Sequence, residues 1–262
     1  MTRNFDSFIR RAGIALISSG IDPRRTWVAL KSLIPYLASF RAARKSASPD
    51  WPIAMGPVFG DRYQSAGTAK GHYFHMDLWA ARQVIRGNFG RLVDVGSRID
   101  GYVAHILVFR EIEVFDVRLL QGQVPGLRFT QANLMDYSNL PEGYADCVSC
   151  LHALEHFGLG RYGDRLDVGD GWKKGLAGLA RILKKGGTLL LAVPIGRQRI
   201  EFDAHRVFGP GTLTEEAERH GLALVDFSYI DDEGDFHEQA PLDAARALEY
   251  GCGCFRFARH GT

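Results

Sequence analysis

The residues best suited to chemistry sit in a few short stretches. Val93-Asp94-Val95-Gly96-Ser97-Arg98-Ile99-Asp100-Gly101 closes an apolar run with an acid and a glycine. A glycine directly after a strand lets backbone approach a ligand closely. Asp116 closes the next apolar run, twenty-two residues after Asp94. That is the spacing at which a carboxylate meets a ribose diol and accepts from both hydroxyls. Asn133 follows the third run, where a side-chain amide suits an adenine edge. The fourth run begins near Asp146 and ends in His152-Ala153-Leu154-Glu155-His156. Beyond it, Gly158, Gly160, Gly163, Gly169 and Gly171 make a flexible loop, which Arg161, Tyr162, Asp164, Arg165, Asp167 and Asp170 load with donors and acceptors. A hydroxyl has to lose a proton to act as a nucleophile, and His156 titrates in the right range just past a strand end. Glu155 either orients His156 or is itself the base; Asp164 and His205 are further candidates. The plain alternative for each is a helix cap or a core histidine bonded to backbone.

The elements that position these residues follow from periodicity. Residues 3–19 and 24–45 read as two helices separated by Gly20-Ile21-Asp22-Pro23, and 46–71 as an irregular linker. A helix from about His72 to Arg86 carries the apolar stripe Phe74, Leu78, Ala81, Val84 and Ile85. Strands are expected at Arg91–Val95, Glu111–Asp116, Leu127–Gln131, Ala145–Leu151 and Gly187–Val193, then near 222–230 and 252–258. Helices are expected over Trp172–Leu183 and Leu213–His220, the latter opening with Thr212 and Glu215 at capping-box spacing. Alternation of near-continuous apolar strands with helices predicts a parallel sheet covered on both faces, with ligands at the carboxyl ends of the strands.

In their order and distances, Asp94-Val95-Gly96, the strand-end Asp116, Leu154-Glu155-His156 and Leu183-Lys184-Lys185-Gly186-Gly187 resemble class I S-adenosylmethionine-dependent methyltransferases over about residues 90–230. A narrower likeness runs through His72-Tyr73-Phe74, Asp94 to Arg98, Leu151 to Asp164 and Ala204-His205-Arg206. These segments look like an uncharacterised bacterial methyltransferase-like family associated with surface-polysaccharide genes. The resemblance implies an α/β fold: a Rossmann-like, seven-stranded methyltransferase sheet with helices on both faces, residues 72–262, preceded by a basic helical extension and linker, residues 1–71. It implies S-adenosylmethionine held by Asp94, Gly96, Ser97, Arg98, Asp116, Asn133, Leu134 and His152. It also suggests a small or glycan-related acceptor that is O-methylated, contacted by Arg161, Tyr162, His205 and Arg206, with His156, Glu155 and Asp164 as the catalytic set. One departure matters. In the usual Asp-x-Gly-x-Gly-x-Gly loop, Arg98 stands here at the second glycine and Asp100 at the third. Arg98 either blocks the methionine part of the cofactor, pairs with its carboxylate, or points outward.

Composition bounds the alternatives. The chain has 262 residues, 46 % hydrophobic and 24 % charged, with a net charge of +2. It is long enough for one α/β domain with an added segment, and it is not built overall as a nucleic-acid binder. No run reaches the roughly 18 apolar residues of a membrane span. Residues 1–48 hold nine Lys/Arg and two acids, leaving the remainder net negative. Such a segment suits either ordinary solvated helices or a peripheral contact with an anionic membrane surface or an acidic partner. Cys147 and Cys150 fall on opposite faces of one strand, and Cys252 and Cys254 share a face without a second pair. Reduced cysteines, a cytoplasmic location and no metal are therefore expected. Asp164, Asp167 and Asp170 follow no standard cation-loop spacing. The competing function is a non-catalytic scaffold whose cofactor pocket is closed by Arg98. A nicotinamide enzyme is disfavoured because Gly-x-Gly-x-x-Gly is absent.

Overall fold

The computed structural model describes residues 13, 16–17, 19–60 and 62–261. The expected helix over 3–19 lies largely outside the described residues. The chain divides into two compact units, one ending at Thr68 and the other spanning Ala69–Thr262.

The first unit contains helix α1 (Pro23–Ser46). It starts where the break before Pro23 predicts, because Asp22 accepts hydrogen bonds from the amides of Arg24 and Arg25 and Pro23 occupies the first turn. Arg44 and Lys45 lie in its last turn, where cations oppose the helix dipole. Among the described residues no helix is long and apolar enough to cross a membrane.

The second unit is an eight-stranded sheet of order β3-β2-β1-β4-β5-β10-β8-β9. Its strands are β1 (Leu92–Val95), β2 (Ile112–Asp116), β3 (Leu127–Gln131), β4 (Ala145–Leu151), β5 (Leu183–Ile195), β8 (Leu222–Ile230), β9 (Phe236–His237) and β10 (Gly251–Arg259). Strands β6 (Arg199–Glu201) and β7 (His205–Val207) form a separate two-stranded ribbon. Helices α2 (His72–Gly87) and α3 (Ala104–Leu107) cover one face of the large sheet, and α4 (Gly171–Ile182) and α5 (Pro210–Arg219) the other. Alternation along each strand divides the core accordingly. Val93, Val148, Cys150, Leu189 and Leu191 pack with Leu176, Leu179 and Leu213. Leu92, Cys147, Leu151, Leu190, Cys252 and Cys254 pack with Met76, Trp79 and Val84. The opposite facing of Cys147 and Cys150 is thus as the strand period requires.

Four expectations need correction. The sheet is parallel only from β3 to β5; β10 runs antiparallel to both β5 and β8. Residues 231–250 supply no crossover helix, so the chain returns antiparallel and inserts between β5 and β8. The eighth strand is the two-residue edge β9. Helix α2 buries Met76, Trp79, Ala80, Ala81 and Val84, while Phe74 and Ile85 are exposed. The buried stripe keeps Ala81 and Val84 of the expected one but is turned toward Met76, Trp79 and Ala80. Helix α5 starts at Pro210 with no side-chain cap, and the Thr212 hydroxyl instead donates to Gln198 Oε1 at 2.7 Å.

Asp77 is also on the inward face of α2, only 7 % exposed. Burial raises its carboxyl to about 6, against the opposing pull of His105 and Arg98. A folded-state value above the ordinary 3.8 means that the protonated form suits the fold. That stabilisation is complete below 3.8 and is lost as pH rises through about 6. Asp77→Asn is therefore expected to raise Tm by roughly 2–4 °C at about pH 8, the shift that about 1 kcal/mol produces in a domain of this size, and to have no effect near pH 4. Thermal melts across pH check this; a lower Tm for the variant at pH 8 would refute it.

Candidate functional site

The carboxyl ends of β1, β2, β3 and β4 converge on one cleft that opens to solvent. Gly96, Arg98, Asp116, Asn133, Leu134, His152, His156, Tyr162 and Asp164 all line it. Sequence positions 96–164 are therefore brought together by the parallel half of the sheet.

Gly96 takes a left-handed φ of 70° while its amide donates to the Phe115 carbonyl at 3.0 Å. A Cβ at Gly96 would lie 2.9 Å from the Ala153 methyl, so this turn is closed to other residues. Asp94 and Ser97 do not line the cleft; they build the turn from below. Asp94 is fully buried, and its carboxylate accepts from the Ser97 hydroxyl at 2.6 Å, the Ser149 hydroxyl at 2.7 Å and the Ser97 amide at 3.0 Å. Burial pushes Asp94 up to about 6, and those hydrogen bonds pull the other way. The Ser97 hydroxyl in turn accepts from the Leu151 amide, tying the β1 turn to β4.

Arg98 does not fill the cleft. Its guanidinium donates to both oxygens of Asp100 at 3.0 and 2.8 Å and lies over the Tyr73 ring at 4.8 Å. Asp116, at the end of β2, accepts from Arg118 Nε at 3.0 Å, Arg118 Nη2 at 2.6 Å and the Arg118 amide at 2.8 Å. Arg118 also lies 4.5 Å from the Tyr162 ring centroid, bridging two walls of the cleft. The Asn133 carbonyl oxygen accepts from the Met135 amide at 3.0 Å. Its NH₂ group makes no hydrogen bond among the described residues, which leaves two donors at the end of β3.

Past β4, His152 adopts a left-handed φ of 51°, an uncommon conformation for a residue with a Cβ. Its Nδ1 lies 2.7 Å from Glu155 Oε1, and both side chains are nearly inaccessible. Burial alone would raise Glu155, but His152 overrides it and holds the carboxyl below its ordinary value. Burial opposes charge on His152, and Cys252 and Glu155 outweigh it. Glu155 is thus a buried partner of His152 rather than a group facing the cleft. His156 Nδ1 meets the Ala204 carbonyl at 2.7 Å, and its Nε2 is 3.9 Å from Glu155 Oε1. A carbonyl can only accept, so Nδ1 carries the proton and neutral His156 presents a lone pair at Nε2. Burial lowers the His156 pKa, with Glu155 opposing.

The Gly-rich loop is held by its own acids. Asp164 accepts from the amides of Gly158, Gly160 and Tyr162, while Asp167 and Asp170 pair with Lys174 and Lys173. Arg161 donates to the Ala204 carbonyl and is exposed. Arg206 does not face the cleft. It is 4 % exposed and donates to the carbonyls of Glu155, Phe157 and Val168, which fixes the loop's path. His205 packs against Tyr250 and His156 behind the wall. Sequence reasoning missed Tyr73, Arg118 and Phe157 in the lining. Only Arg118 had a local signal, two residues after an acid at a strand end.

Residues 126–233 match a family described as Caenorhabditis protein of unknown function, DUF268. No curated protein matches the chain. Among solved structures, the [4+2]-cyclase SpnF is similar at 14 % identity and a TM-score of 0.53, over 71 % of this chain and 82 % of that one. The 1,6-didemethyltoxoflavin-N1-methyltransferase of Burkholderia thailandensis, solved with its acceptor and S-adenosylhomocysteine, is similar at 14 % identity and a TM-score of 0.50, over 91 % and 90 %. The YcgJ protein of Bacillus subtilis is similar at 13 % identity and a TM-score of 0.51, over 72 % and 99 %. The chain has the Rossmann-like α/β fold these proteins share. A fold that carries both a methyltransferase and a cyclase does not dictate the reaction, so function rests on the site.

Proposed function

We propose that the protein transfers a methyl group from S-adenosylmethionine to an oxygen of a small, hydroxyl-bearing acceptor of the sugar class. The observation that carries this reading is the trio at the strand ends: the Cβ-free turn at Gly96, the carboxylate of Asp116 and the free amide donors of Asn133 face one cleft. The donor set suits an adenosyl group. A carboxylate matches a ribose diol, an amide matches an adenine ring nitrogen, and Leu134, Met135 and Phe115 supply apolar surface for the base. Arg118 has to release Asp116 for the diol to dock. The donor supplies an electrophilic methyl on sulfonium sulfur, a good leaving group.

His156 Nε2 takes the proton of the acceptor hydroxyl. The oxygen then forms the new C–O bond as the C–S bond breaks, and the bonding pair stays on sulfur. The Ala204 carbonyl keeps the ring in the tautomer that can do this. Asp164 and Arg206 hold the loop that carries Tyr162 to the mouth of the cleft. The pairing of Arg98 with Asp100 supports this reading over a non-catalytic scaffold, which would need Arg98 to fill the cleft.

Isothermal titration tests the reading. Saturable heat is expected for both S-adenosylmethionine and S-adenosylhomocysteine in the micromolar range. No heat at protein concentrations well above micromolar would end it.

A further inference from the structure

We propose that the chain binds one Zn²⁺ ion through His72, His152 and Cys252, with a fourth coordination position left open. These residues come from the first turn of α2, the residue after β4, and β10, and one ligand atom of each lies within 4.8 Å of the others. A tetrahedral Zn²⁺ with bonds of about 2.0–2.3 Å spaces its ligands about 3.3–3.8 Å apart, so separations shorter by up to about 1.5 Å close the site.

Three observations point to a ligand. First, His152 Nε2 is buried without a hydrogen-bond partner. Its ring is already anchored through Nδ1 to Glu155 at 2.7 Å, which leaves Nε2 as the free donor atom. A buried polar atom with no partner is rare and destabilising. Second, both rings are oriented from behind: His152 by the Glu155 carboxylate and His72 by the backbone carbonyl of Tyr250. This is the outer shell that metal-binding histidines use to fix ring and tautomer. The two rings also stack, 5.3 Å apart and 10° from parallel, as two ligands of one ion can. Third, Cys252 is fully buried, its contact to the adjoining Gly253 carbonyl is a weak 3.9 Å, and its thiol faces His152. Its sulfur is thus available.

Two imidazoles and a thiolate form a borderline-soft set that selects Zn²⁺ over Mg²⁺ or Ca²⁺. Three protein ligands leave a position for water or a ligand heteroatom. His152 also lines the cleft at the strand ends, so an ion here would sit in its wall beside Tyr73. The proposal does not depend on methyl transfer.

The test uses full-length protein, reduced and stripped with a chelator, then titrated with Co²⁺ and Zn²⁺. One Co²⁺ per chain is expected, with a tetrahedral visible spectrum and a near-ultraviolet thiolate-to-cobalt band that Zn²⁺ abolishes stoichiometrically. Cys252→Ser is expected to lose the thiolate band, and His72→Ala to weaken Zn²⁺ at least 100-fold in competition with a chromophoric chelator. Glu155→Gln should weaken it about 10–100-fold, the usual cost of a lost outer-shell partner. Cys254→Ser, which leaves all three ligands in place, should bind as wild type. Absence of the thiolate band from wild-type protein would overturn the proposal even if every variant misfolded. So would Cys252→Ser retaining the band, or Cys254→Ser alone losing it.

Discussion

Alanine at His156 is expected to lower acceptor-dependent release of S-adenosylhomocysteine by roughly 10²–10⁴-fold, the range that a positioned general base contributes. Its Nδ1 is held by the Ala204 carbonyl, while Nε2 makes no hydrogen bond among the described residues and has Glu155 Oε1 3.9 Å away. Nε2 is therefore the atom that meets an acceptor, and removing it leaves the Gly96, Asp116 and Asn133 walls intact. Affinity for S-adenosylhomocysteine should stay within about threefold, since an interaction needed only in the transition state lowers kcat without changing ground-state binding. Burial moves His156 below the ordinary imidazole value of 6.5, against Glu155. A base with a lowered pKa is already unprotonated at neutral pH, so the rate should be flat near neutrality. It should fall on the acid side, with a midpoint below 6.5. A midpoint above that value, or full activity in the variant, would remove His156 from the chemistry.

Asp116→Ala should weaken S-adenosylmethionine by about 1–3 kcal/mol, roughly 5–150-fold in Kd, because two ribose hydroxyls lose their acceptor. The size of the loss is moderated by what the carboxylate does beforehand. Both of its oxygens are bound by Arg118, whose side chain is 49 % exposed. The Asp116 side chain is only 13 % exposed, but with Arg118 half open to solvent the pair is worth about 1 kcal/mol, so the ribose displaces Arg118 at small cost. Arg118→Ala is accordingly expected to tighten binding by up to about fivefold. The two variants should move Kd in opposite directions in the same titration. If Asp116→Ala binds as wild type, the ribose is not at the end of β2.

Much of this arrangement was legible from residue order. Apolar runs of four to seven residues, each ending in Gly96, Asp116, Asn133 or His152, mark strand ends that a parallel sheet must bring together. All four residues line one cleft. The roles of Asp94 and Arg206 were not legible. An acid beside a glycine looks the same in sequence whether it meets a ligand or, like Asp94, is buried under two serines. Arg206 reads as a contact to the acceptor, yet its guanidinium serves three carbonyls of the loop. Side-chain direction is set by packing partners from distant segments, which no local spacing encodes.

The sequence by itself determined the α/β class, the strand ends and the residues at them, because period-2 and period-3.6 patterns and glycine positions are local properties of the chain. Only the tertiary structure decided that β10 inserts antiparallel, that Arg98 pairs with Asp100, and that Cys252 lies against His72 and His152. Those outcomes depend on contacts between residues far apart in sequence. Which partner wins at each one is settled by burial and hydrogen-bond satisfaction over the whole core.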